Sequence, residues 1–442
     1  MHLTRRYFLQ STGALAAYLG VAPIDLFAAS GRAGLVAPTV IKGKTLVVIF
    51  LRGGADGLNL VIPHGDEHYA KLRPGIGIPG PAAKLDAAAR TLDLDGFYGL
   101  HPRLSPIAPL FKEGLAVAAH AVGYDKNTRS HFEEQDTWET GIVGNTVASD
   151  GWVNRHLATS EGHGTIRAVS IGDNLPRILH GKAAAYAIRG LDDLGMNSRG
   201  VDPAKVAAAL EHAYCTPTPA SHKQATQDAR DLLGTTARNT LDGLDQLKAV
   251  REQKYEPVKP YPKTDIGIKL LQMARLIKAD VGLEVGEIDY GGWDTHQNQG
   301  RGADGQFANL AGNLAEALAA FREDLGEKMD DVLVVTLTDF GRTAAENGTT
   351  GTDHGWANCM LLMGGPVLRG NKAADASGKS RQVVTTGAWP GLGPDQLHQK
   401  RDLLHTTDFR DVLCELVRVH LGNPHLETVL PQHEFKRVGL IA

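Results

Sequence analysis

Apolar positions along the chain fall into two rhythms. Thr45-Leu46-Val47-Val48-Ile49-Phe50-Leu51 is an unbroken apolar and β-branched run that ends in Arg52-Gly53-Gly54-Ala55-Asp56-Gly57. Such a run predicts a strand buried on both faces, emptying into a glycine-rich loop. Shorter runs at Leu115–Val122, Val281–Ile288, Val332–Leu337 and Cys359–Met363 predict further strands. Between them lie helical patterns, clearest at Phe307–Leu325, where Leu310, Leu314, Leu318 and Phe321 line one face. Strands alternating with helices predict an α/β fold of three layers, a mostly parallel central sheet flanked by helices. Ligands of such sheets bind beyond the carboxyl ends of the strands. The segments at those positions are rich in Asp and His.

The stretch 202–262 departs from this alternation. Leu241, Leu244, Leu247 and Val250 recur at three-residue steps, and the segment closes on Tyr255-Glu256-Pro257-Val258-Lys259-Pro260-Tyr261-Pro262. It reads as a helical insertion ending in a proline-rich linker. Residues 371–396, rich in Gly, Ser and Pro, predict one long surface excursion.

Composition narrows the choice of partners. Of 442 residues 42% are hydrophobic and 22% charged, which is globular, and 51 glycines make the chain loop-rich. Lys+Arg 46 against Asp+Glu 50 gives a net charge of −4, without the basic excess that drives nucleic-acid binding. Three distant cysteines, Cys215, Cys359 and Cys414, make neither a disulfide framework nor a cysteine-type zinc site, and predict buried thiols.

The N-terminus reads as an address. Thr4-Arg5-Arg6-Tyr7-Phe8-Leu9-Gln10, then the small apolar stretch Ala14-Leu15-Ala16-Ala17-Tyr18-Leu19-Gly20-Val21, resembles a twin-arginine export signal occupying 1–30, with no acidic residue before Asp25. The apolar run is shorter than the ~20 residues a bilayer span needs. The expectation is therefore a folded protein passed to the twin-arginine translocase and released into the periplasm, with no stable membrane span and one domain over 40–442.

Several motifs at the predicted strand ends could carry chemistry. Asp56, after the first strand, is either a turn aspartate or a metal ligand. Ser130-His131-Phe132-Glu133 fits a helix capping box. A hydroxyl at a helix N-terminus also sits where the dipole stabilises an alkoxide and attracts a tetrahedral anion. Arg129 beside it could clamp such an anion. Asp294 and His296, two residues apart in Gly292-Trp293-Asp294-Thr295-His296, could share one cation, zinc or manganese. Asp339 and Arg342 follow the Val332–Leu337 strand, and Asp353-His354 comes after a glycine-rich loop. Three or more carboxylates with two histidines at one sheet edge is the ligand inventory of a two-metal hydrolase, whose ions sit ~3.5–4 Å apart.

Seven ordered segments carry a resemblance: Phe50 to Pro63, Gly99-Leu100-His101-Pro102, Arg129-Ser130-His131-Phe132, Gly292-Trp293-Asp294-Thr295-His296, Asp339-Phe340-Gly341-Arg342-Thr343, Thr352-Asp353-His354-Gly355 and Thr406-Thr407-Asp408-Phe409-Arg410. Together they resemble the bacterial exported family called domain of unknown function 1501. That family is in turn similar to the alkaline-phosphatase-like and sulfatase-like superfamily. The resemblance implies an alkaline-phosphatase-like fold holding one or two divalent metal ions. It implies Asp56, Asp294, His296, Asp339 and His354 as ligands, and Asp353 as a replacement ligand or a partner of His354. Ser130 would be the nucleophile, with Arg129, His131 and Arg342 beside it in catalysis. No Cys or Ser stands in the formylglycine context of true sulfatases. The function so implied is an exported metal-dependent hydrolase of phosphate or related tetrahedral esters, its substrate a small molecule or a polymer-borne ester. The second reading is an exported non-catalytic binding or assembly protein on the same fold with a degenerate metal site.

Overall fold

The computed structural model describes residues 43–144, 150–162, 164, 166–192, 242–302, 304–367 and 382–441. The export-signal segment, residues 202–241 of the insertion and 371–381 of the surface excursion lie outside the described residues.

A nine-stranded sheet organises the chain. Its strands are β1 (Thr45–Leu51), β2 (Ala116–Gly123), β3 (Ala168–Ile171), β4 (Tyr186–Ile188), β5 (Val285–Tyr290), β6 (Val332–Thr338), β7 (Asn358–Gly364), β8 (Val383–Val384) and β9 (Thr407–Asp408). Their order across the sheet is β8-β2-β7-β6-β1-β5-β3-β4, with β9 also paired to β2. All neighbouring pairs are parallel except those of β7, which runs antiparallel to both β2 and β6. Every predicted strand is present within a few residues of its apolar run. A second sheet of three short strands, Val61–Ile62, Leu92–Asp93 and Gly99–Leu100, lies apart from the first.

The side-chain alternation of β1 explains why its sequence is apolar throughout. Val47, Ile49 and Leu51 enter one core with the helices α3 (Asp265–Lys278) and α4 (Gln306–Leu325). Leu46, Val48 and Phe50 enter a second core with α1 (His131–Thr140), α2 (Trp152–Thr159) and α5 (Phe409–Glu415). All seven β1 residues are buried. A fully buried Leu, Ile, Val or Phe contributes about 1.5–3 kcal/mol relative to exposure, so a strand with helices on both faces selects such residues at consecutive positions. This is the expected three-layer α/β architecture, a mostly parallel central sheet flanked by helices.

The described end of the insertion, 242–252, is helical and buries Leu247 and Val250. The proline-rich linker after it is strapped to α4. Tyr255 and Tyr261 donate their hydroxyls to Asp324, which also accepts from the Val258 amide and Lys278. Cys359 and Cys414 are free and buried, as expected. Among the described residues no helix is long and apolar enough to cross a membrane.

Candidate metal centre

Parallel strands end on the same edge. The register aligns Leu51 of β1 with Tyr290 of β5 and with Thr338 of β6, so Arg52, Gly291 and Asp339 leave the sheet side by side. The antiparallel β7 begins at this edge, which brings in His354 from the segment before it. The N-terminus of α1, just after β2, adds Ser130 and His131.

The turn after β1 depends on its glycines. Gly53 and Gly54 adopt φ of +114° and +70°, and a Cβ on Gly53 would lie 2.6 Å from the Asp294 amide. Only glycine takes this path without strain. The turn aims both amides at Asp339 Oδ2, at 2.5 and 2.6 Å. Asp339 Oδ1 remains buried with no hydrogen-bond partner.

Four side chains converge at the same sheet edge. His131, Asp294 and His354 each offer a ligand atom, and these atoms lie within 4.8 Å of one another. His296 joins them, its Nε2 3.0 Å from His354 Nε2 and 3.1 Å from Asp294 Oδ1. His131 bridges toward Asp339, with Nδ1 3.3 Å from Asp339 Oδ2 and Nε2 3.6 Å from Asp294 Oδ2. The wall behind is Phe340, whose ring centroid is 4.7 Å from that of His131 and 4.6 Å from that of His354.

The outer partners determine what each group can donate. His354 Nδ1 lies 2.9 Å from the Arg129 carbonyl oxygen, which can only accept, so the ring proton is on Nδ1 and Nε2 carries a lone pair. His296 Nδ1 lies 3.1 Å from Asp353 Oδ1, a carboxylate that likewise accepts. Two lone pairs on Nε2 atoms 3.0 Å apart, with a carboxylate oxygen beside them, repel unless a cation or a proton lies among them. Nitrogen and oxygen donors in this set fit zinc or manganese. Asp339, whose Oδ1 is buried and unpartnered, adjoins this set through His131 and is not one of the three groups whose ligand atoms lie within 4.8 Å of one another.

Electrostatics follow from these contacts. The Asp339 carboxylate beside His131 raises that imidazole's pKa against the effect of burial. Burial lowers that of His354, opposed by its bond to Arg129. Burial would raise Asp294, but the Arg342 guanidinium at 2.5 Å outweighs it and holds the carboxyl below its usual range. Burial likewise opposes the bonds from Asn347 and His296 that lower Asp353.

Several expected roles change. Asp56 is not among the ligand groups. It is fully buried, and its Oδ2 accepts from Arg73 at 2.6 Å and from Gln299 at 2.7 Å. Its charge is already countered by a guanidinium, and its Oδ1, like that of Asp339, is buried without a hydrogen-bond partner. Arg129 is not an anion clamp, because its guanidinium is spent on Asp402 and Gln399 and lies 5.3 Å above the Trp356 ring. Arg342 is fully buried and donates to the carbonyls of Gly53, Gly54, Trp293 and Thr352 as well as to Asp294, so it braces Asp294 from within the fold. Asp353, expected as a replacement ligand or as a partner of His354, pairs with His296. His131, expected in catalysis, stands among the ligand groups. Ser130 does cap α1, but its hydroxyl makes no capping bond, so the capping box does not form.

The match to a known family runs through the middle and end of the chain. The family described as "Protein of unknown function (DUF1501)" matches residues 197–422, just over half of the sequence. The chain belongs to the DUF1501 family. Asp294, His296, Asp339, Asp353 and His354 lie inside the DUF1501 match, and Asp56 and the Ser130 segment precede it. No curated protein matches this DUF1501 chain. Among solved structures it is similar to the sulfatase PsFucS1 from Pseudoalteromonas sp., with 12% sequence identity and a TM-score of 0.31 over 85% of this chain. The chain spans 66% of that sulfatase's length.

Proposed function

We propose that this chain is an exported, metal-dependent hydrolase of phosphate or related tetrahedral esters, with Ser130 as nucleophile. The observation that carries the reading is the pair of Nε2 atoms on His296 and His354, 3.0 Å apart with both Nδ1 positions facing acceptors and Asp294 alongside. Asp294, His296, His354 and His131 are the residues that would hold a divalent ion, zinc or manganese, and Asp339 offers one further oxygen. When bound, such an ion supplies Lewis-acid polarisation of an ester oxygen.

The chain's own groups do the rest. Ser130 presents an uncommitted, half-buried hydroxyl at the N-terminus of a ten-residue helix. The positive end of that helix favours the alkoxide the attack requires. Arg342 holds Asp294 in place, and the Phe340 ring packs against the imidazoles of His131 and His354. The site opens to solvent through Asp294 and His296, whose side chains are 45% and 38% exposed, which suits an ester carried on a small molecule or on a polymer.

One observation favours the second reading, a non-catalytic binding or assembly protein with a degenerate metal site: Asp56 is tied to Arg73 and withdrawn from the ligand inventory. Elemental mass spectrometry on the full chain, folded and exported through the twin-arginine route in a bacterial host, separates the two. The hydrolase reading expects at least one equivalent of zinc or manganese, lost in Asp294→Asn and His354→Ala. It also expects turnover of 4-nitrophenyl phosphate or sulfate that Ser130→Ala abolishes while keeping the metal. Metal without turnover of any tetrahedral ester points to the binding protein, and protein free of metal refutes the metal centre.

A further inference from the structure

We infer that Asp402 is a positioning residue that presents the His354 Nε2 lone pair to the centre, an inference that rests on the metal-centre reading above. Asp402 has no assigned role in the chemistry and lies far along the chain, yet its buried carboxylate controls His354 through two arginines. Its Oδ2 accepts from Arg129 Nε at 3.0 Å and Nη2 at 2.6 Å, and its Oδ1 accepts from Arg401 Nε at 2.9 Å. Arg129 turns its carbonyl to His354 Nδ1 at 2.9 Å. Arg401 donates through Nη2 to the backbone oxygen of His354. One carboxylate thereby grips both the ring and the backbone of the same histidine.

The backbone of Arg129 supports this reading. Its φ is +60°, a left-handed conformation that a non-glycine residue adopts only under strain. The Asn127 side chain accepts from its amide at 2.8 Å, and Asp402 holds its side chain, so the conformation is fixed from both ends. Its product is a carbonyl aimed at an imidazole nitrogen. Without that acceptor the ring can place its proton on Nε2 and donate to Asp294 Oδ1, 3.4 Å away, which removes the lone pair from the centre. Partners of ligating histidines that fix the tautomer typically carry about 10–100-fold in metal affinity.

The test compares the full-length wild type with Asp402→Asn, with Arg129→Ala, which keeps Asp402 paired to Arg401, and with Glu415→Gln as a control. Glu415 is a buried carboxylate that accepts from the backbone amides of residues 438–441. Zinc affinity is measured by competition with a chromogenic chelator. The His354 tautomer is read in metal-free protein from long-range proton–nitrogen NMR, its signals assigned with His354→Gln.

The expected result is Nδ1–H in the wild type, a shift toward Nε2–H in both site variants, and zinc binding weakened about 10–100-fold in both. The control should melt at a lower temperature with unchanged zinc affinity. Folded site variants with wild-type affinity and tautomer would overturn the inference. If Asp402→Asn does not fold, Arg129→Ala decides alone. Wild type that binds no zinc, but whose tautomer shifts in the variants, would leave Asp402 as the positioning residue while refuting the metal centre.

Discussion

Replacing Arg73 with methionine tests the reassignment of Asp56. Both side chains of this ion pair are fully buried, with the Arg73 Nη1 2.6 Å from Asp56 Oδ2. The same guanidinium donates to Asn59 Oδ1 at 2.8 Å and to the carbonyls of Ala344 and Thr343, each at 2.9 Å, so it staples the loop after β1 to the loop after β6. Removing one partner of a buried pair leaves an uncompensated charge and costs about 3–5 kcal/mol. With an unfolding entropy of about 2.1 cal/mol/K per residue over a chain of this size, each kcal/mol moves the midpoint by roughly 1 °C, so the expected fall is ~3–6 °C. Differential scanning calorimetry at a fixed scan rate reads it. The double variant Arg73→Met/Asp56→Asn removes the stranded charge and should recover about half of the loss, the remainder being the two carbonyls left without a donor. Asp56→Asn alone should retain the full metal content. A midpoint within about 1 °C of wild type for Arg73→Met would refute the reasoning, since that is far below the cost of a stranded buried charge. So would a double variant no better than the single one, or loss of metal in Asp56→Asn.

Two further outcomes follow from the same contacts. Gly53→Ala should weaken metal binding as well as lower the melting temperature by the equivalent of about 1–3 kcal/mol, because the added Cβ meets the Asp294 amide at 2.6 Å; calorimetry with chelator competition checks it, and an unchanged affinity speaks against the turn's role. Acid should remove what three buried histidines contribute to the fold. Burial pushes His101, His120 and His420 down to about 4 from an ordinary 6.5, so between those values the unfolded chain binds more protons than the folded one. Their contribution is complete above pH 6.5 and is lost as pH falls toward 4, each imidazole giving up about 1.4 kcal/mol per pH unit across that window. Melting temperature against pH should fall through this window, and less steeply in His120→Gln; parallel curves for the two proteins would show that His120 does not contribute.

The strands and the edge at which the site lies could be read from the amino-acid sequence, because both follow from local causes. A strand with helices on both faces is selected for apolar residues at successive positions, so β1, β6 and α4 announce themselves. Parallel strands finish together, so motifs that follow them must meet. His354 met them for a reason the pattern does not contain, since β7 runs against its neighbours and starts where they end. Pairing decided the rest, and pairing depends on distances between loops that are remote in sequence. Asp56 and Asp339 both follow apolar strands and look alike on paper. Tertiary structure sets the Arg73 guanidinium against the first and the Gly53 and Gly54 amides with His131 against the second; each keeps one buried, unpartnered oxygen, but only the second adjoins His131 and its neighbours. Arg129 and Arg342 were legible as cations near the site, but only the folded chain sets Asp402 and Asp294 beside them. A charged group acts on whatever lies within a few ångströms of it, and that neighbourhood exists only once the chain has folded.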